Sequence, residues 1–300
     1  MIRIASFNVK DWFEPRSPDD QPVVDRKLDM ISATFAELDA DVIALQEVGS
    51  ERLLGEAARR AGYAHSVVGI ADKRGIRCAI LSRHALAHAE VHRSSELALP
   101  TLVEGDAAPY LGRIPMRRGI VHARVCPPRG PAVDVLTVHF KSKLLVPLRG
   151  EDGESRPMST ALEHAEGAVR SMVVRAAEAL FLRSVVDRLL TEDIERRLVV
   201  LGDLNDTRDS LPVSVVRGRE PPYALHDCLD AVPAERRFSV RHHLGAGLID
   251  HILASSSLAR SQRGARILNE ALAEVGPYVP NEPLSPDSDH AAVIAEFEQG

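Results

Sequence analysis

LVVLGDLND, residues 198–206, runs four apolar residues into a glycine and then places Asp203, Asn205 and Asp206 almost side by side. A short apolar run that ends at a turn signal is typical of a strand buried on both faces. Carboxylate and amide groups in apolar surroundings are costly unless they are paired, hydrogen-bonded or bound to a metal. The stretch therefore predicts a buried strand that carries polar side chains to one edge of a sheet.

Polar side chains recur at the ends of other apolar segments, or inside them. A turn acid or a helix cap explains any one of these segments, whereas several together indicate one convergent site. The residues concerned are Asn8 in SFNV, Gln46 and Glu47 in ALQEV, His139, Lys141 and Lys143 in HFKSK, Asp250 and His251 in LIDHIL, and Asp289 and His290 before the last apolar run.

Short apolar segments alternate with helical patterns along the chain, which favours sheet layers covered by helices. An apolar stripe that includes Leu162 and Val169 predicts a long helix from about 161 to 190, and a second helix is expected from about 25 to 38. The segments predicted as strands are IRIASFNV, DVIALQEV, AHSVVGI, IRCAILS, GIVHARV, VDVLTVHF, RLVVLGD, GLIDHIL and HAAVIAEF.

The domain organisation follows from length and composition. With 45% hydrophobic residues, a chain of 300 residues can bury a large core. No shift in composition marks a boundary, so we expect residues 1–300 to form a single domain. Two tracts, at about 93–118 and 142–160, replace periodicity with glycine, proline and charge, and are expected to be loops of functional interest.

The composition favours a soluble protein of a reducing compartment. No run of about 18 apolar residues could span a membrane, and MIRIASFNVK reads as a strand rather than a signal segment. Cys78, Cys126 and Cys228 are odd in number and widely spaced, which argues against disulfides and a cysteine zinc site. We therefore expect a cytoplasmic monomer, without membrane insertion or an obligate protein partner. The formal charge of -6 gives no global basic footprint, so a polyanion would need a local patch or a metal.

The polar inventory of carboxylates, amides, histidines and lysines points to phosphoryl chemistry. The sequence offers neither a reactive cysteine nor a GxSxG elbow, which argues against an acyl-enzyme. Oxygen ligands such as Glu47, Asn8 and Asp289 suit Mg²⁺ or Mn²⁺. Hydrolysis of a phosphodiester needs a cation on the non-bridging oxygens, a base for the attacking water and a donor at the leaving oxygen. These residue types can supply all three.

The motifs SFNV, LQEV, GDLND, IDHIL and SDH resemble those of the endonuclease/exonuclease/phosphatase superfamily, which includes deoxyribonuclease I. Each motif is weak by itself, but together, in this order along nearly the whole chain, they form a specific signal. HFKSK is similar to the version in many bacterial members. The resemblance implies a deoxyribonuclease I-like fold, a four-layer α/β/β/α sandwich with two mostly antiparallel sheets. It also implies a metal-dependent hydrolase that acts on phosphate ester bonds.

The resemblance further implies roles for individual side chains near the phosphate. Glu47 would bind the divalent cation, with Asn8 and Asp289 near it. Asp203 would activate or position the water, and Asn205 would hold water or phosphate by hydrogen bonds.

Two histidines are implied to lie at the scissile phosphate. Asp250 would orient His290, which would act as a base or as a transition-state stabiliser. Family members divide water activation differently, so the choice between Asp203 and His290 stays open here. His139 would lie over the phosphate, but GIRCAILSR, the segment where deoxyribonuclease I has an acid partner for this histidine, contains no acid. The resemblance thus supports His139 as a phosphate donor more than as an acid or base.

Several cations are candidates to bind the substrate phosphate. They include Lys141 in HFKSK, Arg74 in KRGIR and Arg175 on the long helix. Lys10 stands where apurinic endonucleases often carry an additional metal-shell aspartate. It could neutralise a phosphate or point to solvent.

Three functions are compatible with these motifs. The first is a Mg²⁺- or Mn²⁺-dependent phosphodiesterase that cleaves DNA or RNA by in-line attack of water on phosphate. An acidic net charge and only 4% aromatic residues favour a second, hydrolysis of a small phosphorylated molecule or a phospholipid headgroup. The third is a non-catalytic binding protein with the same fold.

A separate histidine pattern lies outside these motifs. His84, His88 and His92 recur at four-residue steps, which on a helix would align them for zinc. On a strand, residues at even spacing also share a face, and ILSRHALAHAEVHR alternates small or apolar residues with polar ones. An exposed strand face is therefore expected in preference to a zinc site.

Overall fold

Two six-stranded β-sheets pack face to face in a computed structural model of the protein, and helices cover the outer face of each sheet. This arrangement confirms the expected four-layer α/β/β/α sandwich. Within the described residues, no helix combines the length and apolar character needed to cross a membrane. The structure describes residues 1–97, 114–150, 152–242, 245–276 and 284–299.

The strands fall into the two large sheets and two short hairpins. In chain order they are β1 (Ile2–Trp12), β2 (Val42–Val48), β3 (His65–Val68), β4 (Arg77–Ser82), β5 (Ala85–His92), β6 (Ile120–Cys126), β7 (Val133–His139), β8 (Leu148–Arg149), β9 (Ser155–Arg156), β10 (Leu198–Asp203), β11 (His226–Asp227), β12 (Val240–His242), β13 (Gly245–Gly247), β14 (Asp250–Ala254), β15 (Gln262–Ile267) and β16 (Val293–Phe297).

Both large sheets are mostly antiparallel. The first has the strand order β15-β16-β1-β2-β4-β3, and the second has the order β11-β14-β10-β7-β6-β5. Each contains one parallel pair, β1 with β2 in the first sheet and β7 with β10 in the second. The hairpins are β8 with β9 and β12 with β13. Because the carboxyl ends of parallel neighbours lie at the same edge, each sheet can deliver two strand ends to one place.

Two of the longer helices begin at side-chain caps that the sequence supplies. Ser50 accepts a hydrogen bond from Leu53 N at 3.0 Å, and Thr160 accepts one from Glu163 N at 3.2 Å, which satisfies backbone donors of the first turn. The helices are α1 (Gln21–Leu38), α2 (Glu51–Arg60), α3 (Ala161–Glu192), α4 (Leu211–Arg217) and α5 (Ser256–Ala259).

Alternate residues of the central strands feed two different cores. In β10, Val199 and Leu201 join the core between the sheets, whereas Leu198 and Val200 join the core under α3 and α4. β1 and β2 divide their side chains in the same way between the inner core and the core under α1 and α2. Burial on both faces explains why LVVL reads as a continuous apolar run rather than an alternating one.

Each apolar segment predicted as a strand contains one, but some elements were missed. The missed elements include β15 and α2, whereas the exposed strand expected around His84, His88 and His92 is present as β5. The long helix is present, yet its predicted apolar stripe is wrong at the start, because Leu162 is 78% exposed and Val169 is 57% exposed. The first turns of α3 contact the 142–150 segment, where Val146 N donates to Gly167 O at 3.1 Å.

The two predicted loop tracts have different outcomes. Most of the 93–118 tract lies outside the described residues, which resume at 114. The 142–160 tract contains the hairpin of β8 and β9 and is described except at 151.

Gly202 is required by the approach of β10 to β7. Its φ is 139°, and an added Cβ would overlap the backbone carbonyl oxygen of Val138. Replacement of Gly202 by alanine is therefore expected to lower the free energy of unfolding by about 1 to 3 kcal/mol or more. Urea denaturation of the variant and of the wild type measures this change.

A matched control for this prediction is Gly264→Ala in β15. There the nearest atom to an added Cβ, Glu296 Oε2, lies at an ordinary contact distance of 3.7 Å. We expect this control to unfold close to the wild-type midpoint. Equal midpoints for Gly202→Ala and Gly264→Ala would contradict the proposed backbone constraint.

Candidate active site

The strand ends of the two sheets meet at a cluster of polar side chains. Asn8 in β1, just before the pairing with β2 shifts register, donates from Nδ2 to Asp203 Oδ2 at 3.0 Å and to Glu47 Oε1 at 3.3 Å. Asp203 closes β10, and Glu47 lies near the end of β2. One amide group thus links the two sheets and joins two carboxylates that are far apart in sequence.

Asp11 is a member of this cluster that the motifs did not single out. Its backbone N–H donates to Glu47 Oε2 at 3.0 Å. Burial raises the pKa of Asp11 to about 6, and the nearby charge of Glu47 adds to the increase. Arg74 forms an ion pair with the Asp11 carboxylate. The sequence places this acid at the end of FNVKD, but the pattern alone does not show that Asp11 lies beside Glu47.

Backbone strain is concentrated at the same cluster. Among the described non-glycine residues, positive φ angles occur at Lys10 (49°), Asp11 (45°), Glu47 (61°) and Asn205 (53°), as well as at the helix end Asp39. The pairing of β1 with β2 also shifts register after Asn8. Such conformations cost of order 1–3 kcal/mol each and persist where the surrounding structure enforces them. They turn the polar side chains away from the regular strand direction.

The Asp203 carboxylate is held by short-range hydrogen bonds. Asn205 donates its backbone N–H to Asp203 Oδ1 at 2.8 Å and its side-chain Nδ2 to Oδ2 at 3.2 Å. The same Asn205 amide donates to Phe140 O at 3.1 Å. Burial raises the pKa of Asp203 to about 7; the His290 imidazolium opposes this rise and the Asp250 charge adds to it. The opening motif therefore supplies a buried carboxylate that can exchange a proton near neutral pH.

His290 lies between two carboxylates. Its Nδ1 is 2.8 Å from Asp250 Oδ2, and its Nε2 is 3.9 Å from Asp203 Oδ2. Ser239 Oγ accepts a hydrogen bond from Asp250 N at 3.1 Å, which fixes the start of β14. Burial alone would lower the pKa of His290, but Asp250 and then Asp203 raise it to about 10. The imidazole is therefore protonated at neutral pH.

His139 closes the cluster from β7. Its Nε2 is 3.5 Å from Asp203 Oδ2 and 3.8 Å from Glu47 Oε1. Its Nδ1 is buried and has no hydrogen-bond partner among the described residues. Burial, reinforced by the positive charge of Arg118, holds the pKa of His139 well below its ordinary value. His139 is thus a neutral imidazole, in contrast to His290.

Arg118 is a buried residue near the cluster that sequence reasoning missed. Its guanidinium donates to His139 O at 2.7 Å and pairs with Asp72 Oδ2 at 3.0 Å. It lies at the end of the tract that was expected to be a loop. No local pattern distinguishes it from the other arginines of the chain.

The predicted phosphate-binding cations have different surroundings. Lys10 Nζ pairs with Asp289 Oδ2 at 3.0 Å, next to His290. Lys141 donates from Nζ to Leu144 O at 2.6 Å, and burial lowers the pKa of this lysine to about 8. Arg175 is 4% exposed, and its Nε donates to Asp206 Oδ2 at 3.1 Å.

Arg175 therefore connects α3 to the GDLND turn. Its Nη1 also donates to Ser142 O at 3.2 Å and to Ser171 Oγ at 3.1 Å. These contacts place Arg175 beside Asp206 rather than in the carboxylate cluster. Asp206 also pairs with Lys143 at 2.9 Å.

The donor set of the cluster fits a divalent cation. Glu47 Oε1 and Asp203 Oδ2 both lie within 3.3 Å of Asn8 Nδ2, so two carboxylate oxygens converge at one point of the cluster. Burial is the main cause of the raised pKa values of Asp203 and Asp11, so water does little to stabilise the charges of these carboxylates. A divalent cation bound to carboxylate oxygens would stabilise these charges.

Two layers of mostly antiparallel sheet, with acids, amides and histidines gathered where strand ends meet, define the deoxyribonuclease I-like class of protein. The sequence model described as the Endonuclease/Exonuclease/phosphatase family matches residues 24–290. The chain belongs to this family. Its enzymes hydrolyse phosphate esters and use divalent metal ions. None of the curated proteins compared with the sequence matches it.

Solved structures similar to this one share its fold at low sequence identity. Truncated TDP2 from Caenorhabditis elegans has a TM-score of 0.62 and 16% identity, over 99% of this chain and 97% of that chain. An AP endonuclease from Archaeoglobus fulgidus has a TM-score of 0.61 and 16% identity, over 99% and 100%. The 3' phosphatase NExo from Neisseria, bound to a product DNA hairpin, has a TM-score of 0.59 and 19% identity, over 99% and 100%.

Proposed function

We propose that this protein is a divalent-metal-dependent phosphodiesterase that acts on nucleic acid. The observation that carries the proposal is the pair of imidazoles on either side of Asp203, with His139 Nε2 at 3.5 Å and His290 Nε2 at 3.9 Å from its Oδ2. A phosphate bound there would meet a carboxylate, a neutral imidazole and an imidazolium. We also propose that residues 1–300 form one domain, which is supported by the family match over 24–290.

Glu47 is the proposed principal ligand of the cation, with Asp289 and the amide of Asn8 near it. Mg²⁺ or Mn²⁺ suits these oxygen donors. When bound, the cation would polarise the phosphate and neutralise the charge that develops in the transition state. Asp11 is a further candidate, because its backbone already contacts the Glu47 carboxylate at 3.0 Å.

The protein residues divide the remaining chemistry according to charge. Asp203 is proposed to accept the proton of the attacking water, since a base works best with a pKa near the working pH. The protonated His290, oriented by Asp250 at 2.8 Å, would donate a hydrogen bond to a phosphate oxygen. His139 would donate to the phosphate as a neutral imidazole, and Asn205 would hold the water or phosphate in place.

The choice of nucleic acid is supported by solved structures of the same fold, among them a phosphatase bound to a DNA product. One observation favours a smaller phosphorylated substrate as the second candidate. The cations next to the cluster already face carboxylates, as in the pairs Lys10–Asp289 and Arg74–Asp11. A long polyanion would have to compete with these acids for its neutralising charges.

A panel of substrates tests this proposal. Purified protein would be assayed with Mg²⁺ or Mn²⁺ on single-stranded DNA, duplex DNA with internal and terminal lesions, RNA, and small phosphomonoesters and phosphodiesters. We expect hydrolysis of a nucleic acid that stops when EDTA removes the metal. Turnover of small phosphoesters alone would support the second candidate, and a folded protein without any hydrolysis would support a non-catalytic binding function.

Glu47→Gln is expected to weaken Mn²⁺ binding by about 10-fold to 100-fold, because a neutral amide replaces the proposed anionic ligand. Isothermal titration calorimetry with Mn²⁺ measures this change. The exposed Glu235→Gln variant is a matched control with the same chemical substitution. Equal Mn²⁺ affinities for both variants would remove Glu47 from the proposed ligand set.

A further inference from the structure

A second group of metal-ligating side chains lies on the second sheet, on the face that α3 covers and away from the strand ends that form the carboxylate cluster. Residues 88, 90 and 92 alternate along the edge strand β5, so His88, Glu90 and His92 share one face. Glu90 is the direct cross-strand neighbour of His122 on β6. The last turns of α3 border the group, since Arg188 and Glu192 line the same groove.

The side chains of this group converge on one carboxylate oxygen. His88 Nε2 is 3.2 Å from Glu90 Oε1, and His122 Nδ1 is 3.4 Å from the same oxygen. Ligand atoms of these three residues all lie within 4.8 Å of one another. Two imidazole nitrogens and one carboxylate oxygen form the donor set of many three-residue zinc sites.

A buried carboxylate fixes the orientation of His122. Its Nε2 lies 2.8 Å from Asp134 Oδ1, and Asp134 is 1% exposed. The Nε2 proton is therefore donated to Asp134, which leaves a lone pair on Nδ1, the nitrogen on the side of Glu90. A carboxylate that holds the distal nitrogen of a ligating histidine is the usual support of a bound transition metal. Arg124 and Arg196 both pair with Asp134 rather than with the proposed ligands.

His92 has a different place in the group. Arg188 donates to His92 Nδ1 at 3.3 Å, so the neutral ring carries its proton on Nε2. That Nε2 lies 3.2 Å from His122 Nδ1 and occupies the lone pair in the absence of a metal. Metal binding would exchange this hydrogen bond for a coordinate bond. His92 is therefore a neighbour of the proposed site rather than one of its ligands.

We propose that His88 Nε2, Glu90 and His122 Nδ1 form a binding site for a transition metal of the Zn²⁺ class. Imidazole ligands favour such metals over Mg²⁺, so this site would differ in selectivity from the carboxylate cluster at the strand ends. A groove of about 420 Å³ opens beside the ligands and leaves room for a water or a further ligand. A bound metal would tie the edge strand β5 to β6 and cover polar groups of the edge.

The competing explanation is that these side chains only protect an exposed edge strand from pairing with other chains. Charged and polar side chains commonly serve that purpose. That explanation requires exposed polar side chains, but it does not require that His122 be buried with its Nε2 hydrogen-bonded to Asp134. The two explanations differ in whether Zn²⁺ binds with a one-to-one stoichiometry at this position.

Zinc titration of the whole protein tests the proposal. Metal-free wild type, His88→Ala, Glu90→Gln and His226→Ala would be titrated with Zn²⁺ by calorimetry, after circular dichroism shows that each is folded. His226 is an exposed histidine that contacts Ser256 Oγ at 3.0 Å, so it controls for the loss of any imidazole. We expect His88→Ala and Glu90→Gln each to lose about 10-fold to 100-fold in affinity at one site, and His226→Ala to keep it.

The carboxylate cluster can be separated from this site in the same experiment. Glu47→Gln is expected to keep the zinc site, and His88→Ala is expected to keep Mg²⁺-dependent phosphoester hydrolysis. Co²⁺ in place of Zn²⁺ should give visible absorption bands of a nitrogen-containing site that disappear in His88→Ala. Wild-type zinc affinity in both His88→Ala and Glu90→Gln, or a loss of all zinc binding in Glu47→Gln, would overturn the proposal.

Discussion

Replacement of Asp203 by asparagine is expected to lower kcat for phosphodiester hydrolysis by about 10² to 10⁴-fold, the usual contribution of a general base. The substitution keeps the size of the side chain and removes its ability to accept a proton. Asn8 and Asn205 donate to Asp203 Oδ2 at 3.0 Å and 3.2 Å, and a neutral amide would face these donors without a negative charge. Steady-state kinetics at saturating metal measures the change.

The pH dependence of the wild type gives a second test of the same role. Since the pKa of Asp203 without a metal is about 7, kcat is expected to rise as the pH rises toward 7 and the carboxylate loses its proton. A bound cation would lower the pKa of Asp203. The apparent pKa on the acid side of the profile of kcat against pH should therefore be 7 or lower. Asp209→Asn, at an exposed position six residues along the chain, is the matched control. If Asp203→Asn kept more than half of the wild-type kcat, Asp203 would be excluded as the general base.

The sequence predicted the layers of this fold well where strands are buried on both faces. LVVL in β10 and VIAL in β2 are continuous apolar runs because alternate side chains enter two different cores. β5 has no such run because it is an edge strand with polar residues on an open face, and the sequence indicated it only as an exposed strand face. The apolar stripe predicted for α3 is wrong near Leu162, because the helical turns before Gly167 are largely exposed to solvent.

The candidate site was less accessible to sequence reasoning because its geometry depends on long-range packing. Polar residues at strand ends indicated where a site would form, but not which atoms would meet. Asp11 reaches Glu47 only through a register shift and positive φ angles, and Arg118 reaches Asp72 across 46 positions of the chain. Arg175 resembled a phosphate-binding arginine, yet its partner Asp206 lies 31 positions away along the chain. Such pairings are properties of the folded topology rather than of local pattern.

Removal of the His290 imidazole by alanine is expected to lower kcat by about 10² to 10⁴-fold, comparable with the loss of other catalytic groups that move or donate protons. Asp250→Asn should act through the same imidazole, because Asp250 Oδ2 lies 2.8 Å from His290 Nδ1. Groups that act as a unit are strongly non-additive. The double variant is therefore expected to be no slower than His290→Ala by more than a few fold.

The pH profile distinguishes a positioning role of Asp250 from a general loss of structure. The protonated His290 has a pKa of about 10, so the wild-type kcat should fall only as the pH approaches 10. Asp250→Asn removes the largest charge that raises this pKa, and the alkaline limb should move to lower pH. Asp287→Asn, at an exposed position in the same segment, should leave the limb unchanged. An alkaline limb that stays in place in Asp250→Asn, or losses that multiply in the double variant, would show that the two side chains act independently.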